Sequence, residues 1–151
     1  MPNYWLCKSE PDNYSIDEME KDGSTPWDGV RNYGARNYMR DEMKPGDGVL
    51  FYHSNQKPPA IVGMMEVISE AYPDALQFDP ESKYFDPKSS EENPTWINVD
   101  MKFVRKLDQP ISRYVLKDDS ELENMELFRL GRYSITRVSE AEWKKIHEMI
   151  S

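Results

Sequence analysis

The chain has 151 residues and a net charge of −9, and 38% of its residues are hydrophobic and 12% aromatic. A chain of this length fits one domain, residues 1–151, and its 4 Trp, 9 Tyr and 5 Phe supply enough apolar surface to exclude a disordered chain. Its single cysteine, Cys7, excludes an internal disulfide, and its acidic charge argues against indiscriminate binding to nucleic acid, which depends on neutralising phosphates.

The first third of the chain is predicted to contain a strand and two helices. Residues 3–8 (NYWLCK) are aromatic and apolar, as in an opening strand. Ser15 and Glu18 have the spacing of a capping box, which predicts a short helix over residues 16–21. A second helix is predicted over residues 32–43, where Pro45-Gly46 stops it. Its inward-facing side chains are expected to be Tyr38, Met39 and Met43.

The loop between the two helices is the candidate functional segment. Residues 25–37 (TPWDGVRNYGARN) have two glycines and no aliphatic periodicity, and they place Trp27 among amide, guanidinium and phenol groups. Flat, donor-rich side chains around one aromatic ring suit a pocket for a planar polar ligand such as a nucleobase. The alternative is that Trp27 only plugs the end of a barrel while the charged residues cap a surface helix.

Basic residues recur through and beyond this segment at Arg31, Arg36, Arg40 and Lys44. If nucleic acid binds this acidic chain, the pattern predicts that it binds at one local patch. The alternative is a solvated helix face of mixed charge.

The middle of the chain is predicted to form a hairpin followed by a long loop. Residues 49–54 and 60–70 are strand-like, and Gly63 indicates a bulge or a close approach of the backbone. Residues 72–94 have no period, and we expect this loop to cover a site or to pack through a few aromatic side chains. Those side chains are Tyr72, Phe78, Tyr84 and Phe85.

The last third begins with the clearest strand, residues 96–103, in which Val99 and Met101 face the core. Trp96 falls on the polar face of this strand, either as an exposed ring or as part of a binding wall. The elements expected after it are helices over 111–116 and 121–130, a strand over 133–138, and a last helix through Ile150. The spacing of Ser139 and Glu142 is that of a capping box, which predicts where this last helix begins. Five strands without a βαβ rhythm predict an α+β, barrel-like fold.

Several long strings of the sequence, in chain order, resemble those of the EVE domain family. They are NYWLCKSEP, WDGVRNYGARN, FYHSN, IVGMMEV, AYPDALQFDP, YFDPKS and RYSITRVSEAEW. The resemblance covers essentially the whole chain. It implies a PUA-like β pseudobarrel of about five to six strands with short helices packed around it, related to the YTH domains that read methylated adenine in RNA.

The resemblance also implies a nucleic-acid-binding module that reads a modified base by extruding it into an aromatic pocket. Modified cytosine in DNA and a modified base in RNA are the leading ligands. Trp27 is expected to stack on the base, with Ser9 and Asn32 near its edge and Trp5 or Trp96 as a second wall. The expected ligand-binding residues are Ser9, Trp27, Asp28, Gly29, Val30, Arg31, Asn32, Tyr33, Arg36, Asn37, Tyr52, His53, Ser54, Tyr72, Pro73, Phe78, Trp96 and Arg132.

Two other classes of function stay open at this stage. One is an enzyme acting on modified nucleic acid or a nucleoside, centred on His53 with Ser54, Asp28 or Cys7 as its partner. The other is a sensor that binds a free nucleoside in the same pocket. No nucleophile motif, phosphate-binding loop or metal-ligand spacing accompanies His53, so we expect no catalytic residue, metal or cofactor.

We expect a monomer without membrane contact. No apolar run approaches the ~20 residues that a membrane span needs, and the start of the chain lacks the pattern of a signal peptide. A reducing compartment is therefore expected, which is the cytoplasm for a prokaryotic protein and the nucleus for a eukaryotic one.

Overall fold

The computed structural model describes residues 2–150. Its helices and strands, in chain order, are β1 (Tyr4–Ser9), α1 (Ile16–Asp22), β2 (Ser24–Pro26), α2 (Tyr33–Asp41), β3 (Gly48–His53), β4 (Ala60–Val67), β5 (Tyr72–Pro73), a 3-10 helix (Ala75–Phe78), β6 (Ile97–Asn98), β7 (Asp100–Ser112), α3 (Arg113–Asp118), α4 (Glu126–Arg129), β8 (Ile135–Val138) and α5 (Glu140–Glu148). None of the helices in this range is both long and apolar enough to cross a membrane.

Six of the strands form one mixed sheet that curves into a half-barrel, in the order β2-β7-β4-β3-β1-β8. β1 and β3 run parallel to each other, whereas the other neighbouring pairs are antiparallel. β5 and β6 form a separate two-stranded pair. The architecture confirms the α+β, barrel-like fold predicted from the sequence.

The central strands β1, β3 and β4 of the sheet are largely buried on both faces. Trp5, Cys7 and Phe51 belong to one core cluster, and their neighbours Leu6 and Tyr52 belong to a second cluster. The first cluster also contains side chains of α1 and α2, and the second contains side chains of α3, α4 and α5. Because successive residues of a strand point to opposite faces, a strand covered on both sides is apolar along its whole length.

Gly63 lies at a β-bulge, as predicted. In the pairing of β4 with β3, Phe51 pairs with Gly63 but the next residue, Tyr52, pairs with Ile61, so the register shifts by one residue. The pairing of β4 with β7 shifts at the same place, between Ile61 and Gly63. A Cβ atom on Gly63 would lie 2.4 Å from Cδ1 of Ile16 and 2.8 Å from the carbonyl oxygen of Arg105. The glycine therefore allows α1 to pack closely against the bent sheet.

The helix starts agree with the sequence patterns. Both arms of the capping box of α1 form, between Ser15 and Glu18, and Gly23 ends the helix with φ at 78°. Ser139 and Glu142 form the corresponding box at the start of α5. α2 begins at Asn32, whose side-chain oxygen accepts a hydrogen bond from the backbone N–H of Ala35 at 2.9 Å.

The secondary structure of residues 104–130 differs from the prediction. β7 continues to Ser112, through residues for which the sequence predicted the start of a helix. Ile111 pairs with Ile61 of β4, so the hydrogen bonds of the sheet override the local preference of this polar, proline-containing segment. Only Glu126–Arg129 of the predicted helix over 121–130 is helical.

The long loop is held by a buried amide rather than by its aromatic residues. The side chain of Gln77 donates to the carbonyl oxygens of Asp74 and Trp96, and it accepts from the backbone N–H of Trp96 and the hydroxyl of Ser89. Tyr72 and Phe85 are 40% and 41% exposed. Gln77 therefore ties the two ends of the loop together and fixes its path.

Candidate functional site

A cavity of about 680 Å³ opens where the parallel strands β1 and β3 end. Lys8 and Ser9 of β1 and Ser54, directly after β3, line one side. The loop from β2 to α2 forms a second side, and residues 83–84 and 131–134 complete the wall. The volume lies in the range of small-ligand pockets and is large enough for one nucleobase.

The structure brings half of the expected site residues to this cavity. Those that line it are Ser9, Trp27, Asp28, Gly29, Val30, Arg31, Asn32, Ser54 and Arg132. Residues outside the expected ligand-binding set also line it, among them Lys8, Tyr14, Lys83, Tyr133 and Ser134, together with Tyr84 of the loop that was expected to cover a site or to pack through its aromatic residues. They come from distant parts of the chain and share no motif, so only the fold places them together.

Trp27 has a role in the core as well as in the cavity wall. Its backbone N–H donates to the carbonyl oxygen of Val99 at 2.8 Å, and its ring lies edge-on to Phe51 with the centroids 5.4 Å apart. Tyr14 packs against the same indole at 6.4 Å. Because Trp27 is only 7% exposed, it presents a narrow strip to the cavity while most of the ring supports the fold.

Arg31 fastens the loop after Trp27 to the long loop. Its guanidinium donates to the buried carboxylate of Asp74 at 3.0 Å and to the carbonyl oxygen of Tyr84 at 2.9 and 3.1 Å. Asp74 also accepts from the backbone N–H of Gly29 at 2.8 Å, where φ is 79°. Arg31 is therefore bound to protein acceptors, although the sequence placed it among the basic residues of one local patch for nucleic acid.

Two polar groups of the cavity wall retain hydrogen-bonding capacity. The Ser9 hydroxyl donates to the carbonyl oxygen of Tyr14 at 2.6 Å, which leaves its oxygen free to accept. The Asn32 oxygen caps α2, so its amide nitrogen keeps its two protons for another partner. Both groups lie on the lining of the cavity that contains Trp27.

Besides Arg31, three cations line the cavity, in a chain whose net charge is −9. Lys8 donates to the carbonyl oxygen of Gly131 at 3.0 Å, and burial and then the nearby Arg113 lower its pKa. The ammonium of Lys83 lies 5.1 Å from the ring centroid of Tyr84. Arg132 is exposed and, within residues 2–150, forms no ion pair. These cations form the basic mouth of the cavity, defined as Lys8, Lys83 and Arg132.

Asp28 is an exposed carboxylate on the same wall. The low polarity of its surroundings, and then the charge of Asp74, raise its pKa. The charge of Arg31 acts in the opposite direction but is the smaller effect.

Four of the expected site residues lie together outside the cavity, namely Tyr33, Arg36, Asn37 and Trp96. The guanidinium of Arg36 donates to the Asn37 side chain at 2.8 Å and to the carbonyl oxygen of Thr95 at 3.0 Å. Tyr33 stacks on Trp96 with the centroids 4.9 Å apart, and the Trp96 indole donates to Asp86 at 2.8 Å. These contacts join α2 to the long loop. Trp96 is 6% exposed, so it is neither a stray surface ring nor a wall of the cavity.

The remaining expected residues also lie away from the cavity. Tyr72 and Pro73 form β5, and Phe78 ends the 3-10 helix. The Tyr72 hydroxyl donates to the carboxylate of Asp100. Tyr52 belongs to the cluster on the opposite face of the sheet, so the alternation along β3 separates it from the cavity side.

His53 has a structural partner on each ring nitrogen. Its Nε2 accepts from the backbone N–H of Ile16 at 3.1 Å, so the proton lies on Nδ1, which donates to Gln56 at 3.1 Å. Burial lowers the pKa of His53 and favours this neutral ring. Cys7 is fully buried, and burial raises its pKa, which disfavours the reactive thiolate. Among residues 2–150, no three His, Cys, Asp or Glu side chains are grouped to hold a metal ion.

The half-barrel and its end-on cavity define a PUA-like module. The family model described as the EVE domain matches residues 3–149. The chain therefore belongs to the EVE domain family.

Relatives and solved structures agree with this assignment. The chain is 40% identical to human thymocyte nuclear protein 1 over 162 aligned residues, which cover 95% of this chain and 72% of that protein. A structure of a hypothetical protein from Leishmania major has a TM-score of 0.95 and 48% identity, covering 99% of this chain and 94% of that one. Human THYN1 in complex with DNA containing 5-methylcytosine has a TM-score of 0.92 and 38% identity, covering 97% and 96%.

Proposed function

We propose that this protein binds nucleic acid and reads a modified base, with 5-methylcytosine in DNA as its first candidate ligand. The observation that carries the proposal is the cavity, in which an indole strip, free polar groups and a basic mouth meet at one end of the half-barrel. The crystallised complex of a relative with DNA containing 5-methylcytosine supports the same chemistry. The base would be extruded and held in the cavity, since a base inside a duplex cannot reach it.

The cavity residues divide into groups with separate tasks. The rings of Trp27, Tyr14 and Tyr133 supply apolar surface for a flat base, and stacking of this kind contributes about 1–3 kcal/mol per base. Ser9 and Asn32 supply an acceptor and a donor to the base edge. The basic mouth meets the phosphates that flank the extruded nucleotide.

Recognition of the methyl group alone gives only a small preference. Burying one methyl group contributes about 0.8 kcal/mol, which corresponds to about a fourfold difference in affinity. A larger preference for 5-methylcytosine over cytosine requires that the methyl group also displaces a poorly bound water molecule from the cavity.

The test is a titration of labelled DNA with a single central 5-methylcytosine or cytosine, followed by fluorescence anisotropy at low salt. We expect tighter binding to the methylated strand, and weaker binding by Trp27→Phe, which removes part of the indole strip while preserving much of the core. Trp27→Ala would confound the result, because loss of a buried aromatic side chain costs about 3–5 kcal/mol of stability.

Trp143→Phe is the matched control, because Trp143 stacks on Tyr4 at a centroid distance of 4.4 Å in the cluster on the other face of the sheet. Equal affinity of the wild-type protein for methylated and unmethylated DNA would contradict the proposal for 5-methylcytosine. Modification-dependent binding only to RNA would change the polymer and leave the cavity as the site.

The enzyme hypothesis centred on His53 has less support. Both ring nitrogens of His53 are engaged, and neither His53 nor Cys7 lines the cavity. The expected compartment, nuclear for a eukaryotic protein and cytoplasmic for a prokaryotic one, and the expected monomeric state stay predictions.

A further inference from the structure

Asp28 is a carboxylate without a cationic partner on the wall of a cavity whose other charged side chains are Glu10 and several cations. It forms no ion pair in the part of the chain that the structure describes, because the guanidinium of the neighbouring Arg31 is taken by Asp74 and Tyr84. The other cations of the cavity are Lys8, Lys83 and Arg132. A carboxylate among them repels phosphate, so Asp28 has a different partner from the basic mouth.

The position of Asp28 is fixed by its two neighbours in sequence. The backbone N–H of Trp27 donates to the carbonyl oxygen of Val99 at 2.8 Å, and the backbone N–H of Gly29 donates to Asp74 at 2.8 Å. The left-handed φ of 79° at Gly29 turns the chain directly after Asp28. The backbone at Asp28 is thus held at one place on the cavity wall, so only its side-chain torsions need to be ordered when a ligand arrives.

An ionised carboxylate only accepts hydrogen bonds. Of the pyrimidines, cytosine carries an amino donor on its fourth ring position, whereas thymine and uracil carry a carbonyl acceptor there. A carboxylate facing this position pairs with the cytosine amino group and repels the carbonyl oxygen of thymine. A 5-methyl group does not alter this choice, because 5-methylcytosine and thymine share it.

We infer that Asp28 selects the amino-bearing base, so that the cavity accepts 5-methylcytosine and rejects thymine, the base of the same size and with the same methyl group. This inference rests on the proposed function of the cavity. It adds a specificity-determining contact that depends on the charge of one residue rather than on the shape of the pocket.

The experiment compares single-stranded DNA containing one central 5-methylcytosine with the same strand containing thymine at that position. Single strands remove the pairing partner, so the two probes differ only at the base edge. We expect wild-type protein to prefer 5-methylcytosine by about five- to 150-fold, the range of one good base contact. In Asp28→Asn the amide can donate to the thymine carbonyl, so the ratio should fall to about one or invert.

Asp108→Asn is the matched control, because Asp108 is an exposed carboxylate on β7 outside the cavity and its replacement makes the same change in net charge. It should retain the wild-type ratio. If Asp28→Asn folds, binds and keeps the wild-type preference, the inference about Asp28 is wrong while the proposed function stands. If wild-type protein binds both strands equally and Trp27→Phe changes neither affinity, the proposed function and the inference are both overturned.

Discussion

Gly34 is the residue at which a single Cβ atom has the largest consequence for the cavity wall. Its ideal Cβ would lie 2.2 Å from Cζ of Tyr133, and Tyr133 lines the cavity. Gly34 lies in the first turn of α2, where replacement of glycine by alanine would otherwise stabilise a helix by about 0.5–1 kcal/mol. Because the added Cβ would clash with Tyr133, alanine at this position should destabilise the protein instead of stabilising it.

We therefore expect Gly34→Ala to lower the free energy of unfolding by about 1–3 kcal/mol, as overpacking does, and to weaken binding of the methylated strand. Denaturant unfolding measures the first effect. Gly131→Ala is the control, because no atom lies within 4 Å of its ideal Cβ. In a Tyr133→Ala background, Gly34→Ala should no longer destabilise the protein. Equal stability of Gly34→Ala and Gly131→Ala would contradict this account.

Asp28 and Arg31 illustrate how adjacent polar residues divide their tasks. Both belong to the segment that the sequence marked as a pocket, and both line the cavity. Arg31 is bound by Asp74 and the carbonyl oxygen of Tyr84, so it holds the wall in place. Asp28 has no such partner and remains available to a ligand. The residue types alone do not distinguish the two cases.

At the scale of elements, the long loop between β5 and β6 behaves as a wall of the site. It supplies Lys83 and Tyr84 to the cavity, and its ends are joined through the fully buried side chain of Gln77. Removing that side chain leaves the backbone N–H of Trp96 without a partner, whereas the carbonyl oxygens of Asp74 and Trp96 each keep one backbone donor. One unsatisfied buried group costs about 1–3 kcal/mol.

We expect Gln77→Ala to speed proteolytic cleavage within residues 79–92 and to weaken DNA binding, because the wall formed by residues 83–84 loses its support. Limited proteolysis with identification of the cut site, together with the anisotropy titration, tests this. Gln109→Ala, at an exposed position of β7, serves as the control. An unchanged cleavage rate in Gln77→Ala would show that other contacts hold the loop.

At the scale of the whole molecule, an acidic protein must bind nucleic acid through few phosphate contacts. The net charge is −9, and the cations of the basic mouth are Lys8, Lys83 and Arg132. If all of them neutralise phosphates on a single strand, a plot of the logarithm of the binding constant against the logarithm of the salt concentration should have a slope of about −2. Low salt is therefore the condition in which binding is most readily measured.

Arg132→Gln should reduce the magnitude of that slope by about one unit, because it removes one phosphate contact from the basic mouth. Arg36→Gln should leave the slope unchanged, since the Arg36 guanidinium is bound to Asn37 and Thr95 away from the cavity. Titrations at several salt concentrations measure both slopes. If the slope is reduced in Arg36→Gln and unchanged in Arg132→Gln, the nucleic acid contacts the side of α2 that carries Arg36 and not the cavity.

Local signals in the sequence were sufficient for most of the elements. The capping boxes at Ser15 and Ser139 predicted where α1 and α5 begin, because the groups that form each box are close together in sequence. The Gly63 bulge was predicted because a glycine inside a strand-like run is itself a local signal. The extension of β7 to Ser112 was not, because it depends on pairing with β4, far away in the sequence.

For the site, the sequence by itself determined the family, the α+β half-barrel and the central segment around Trp27, since these depend on contiguous residues. Only the tertiary structure decided that Tyr33, Arg36 and Trp96 join α2 to the long loop, while Lys8 and Lys83 complete the cavity. The physical reason is that a side chain acquires its task from its partners, and the partners that bind Arg31 or leave Asp28 free come from distant segments.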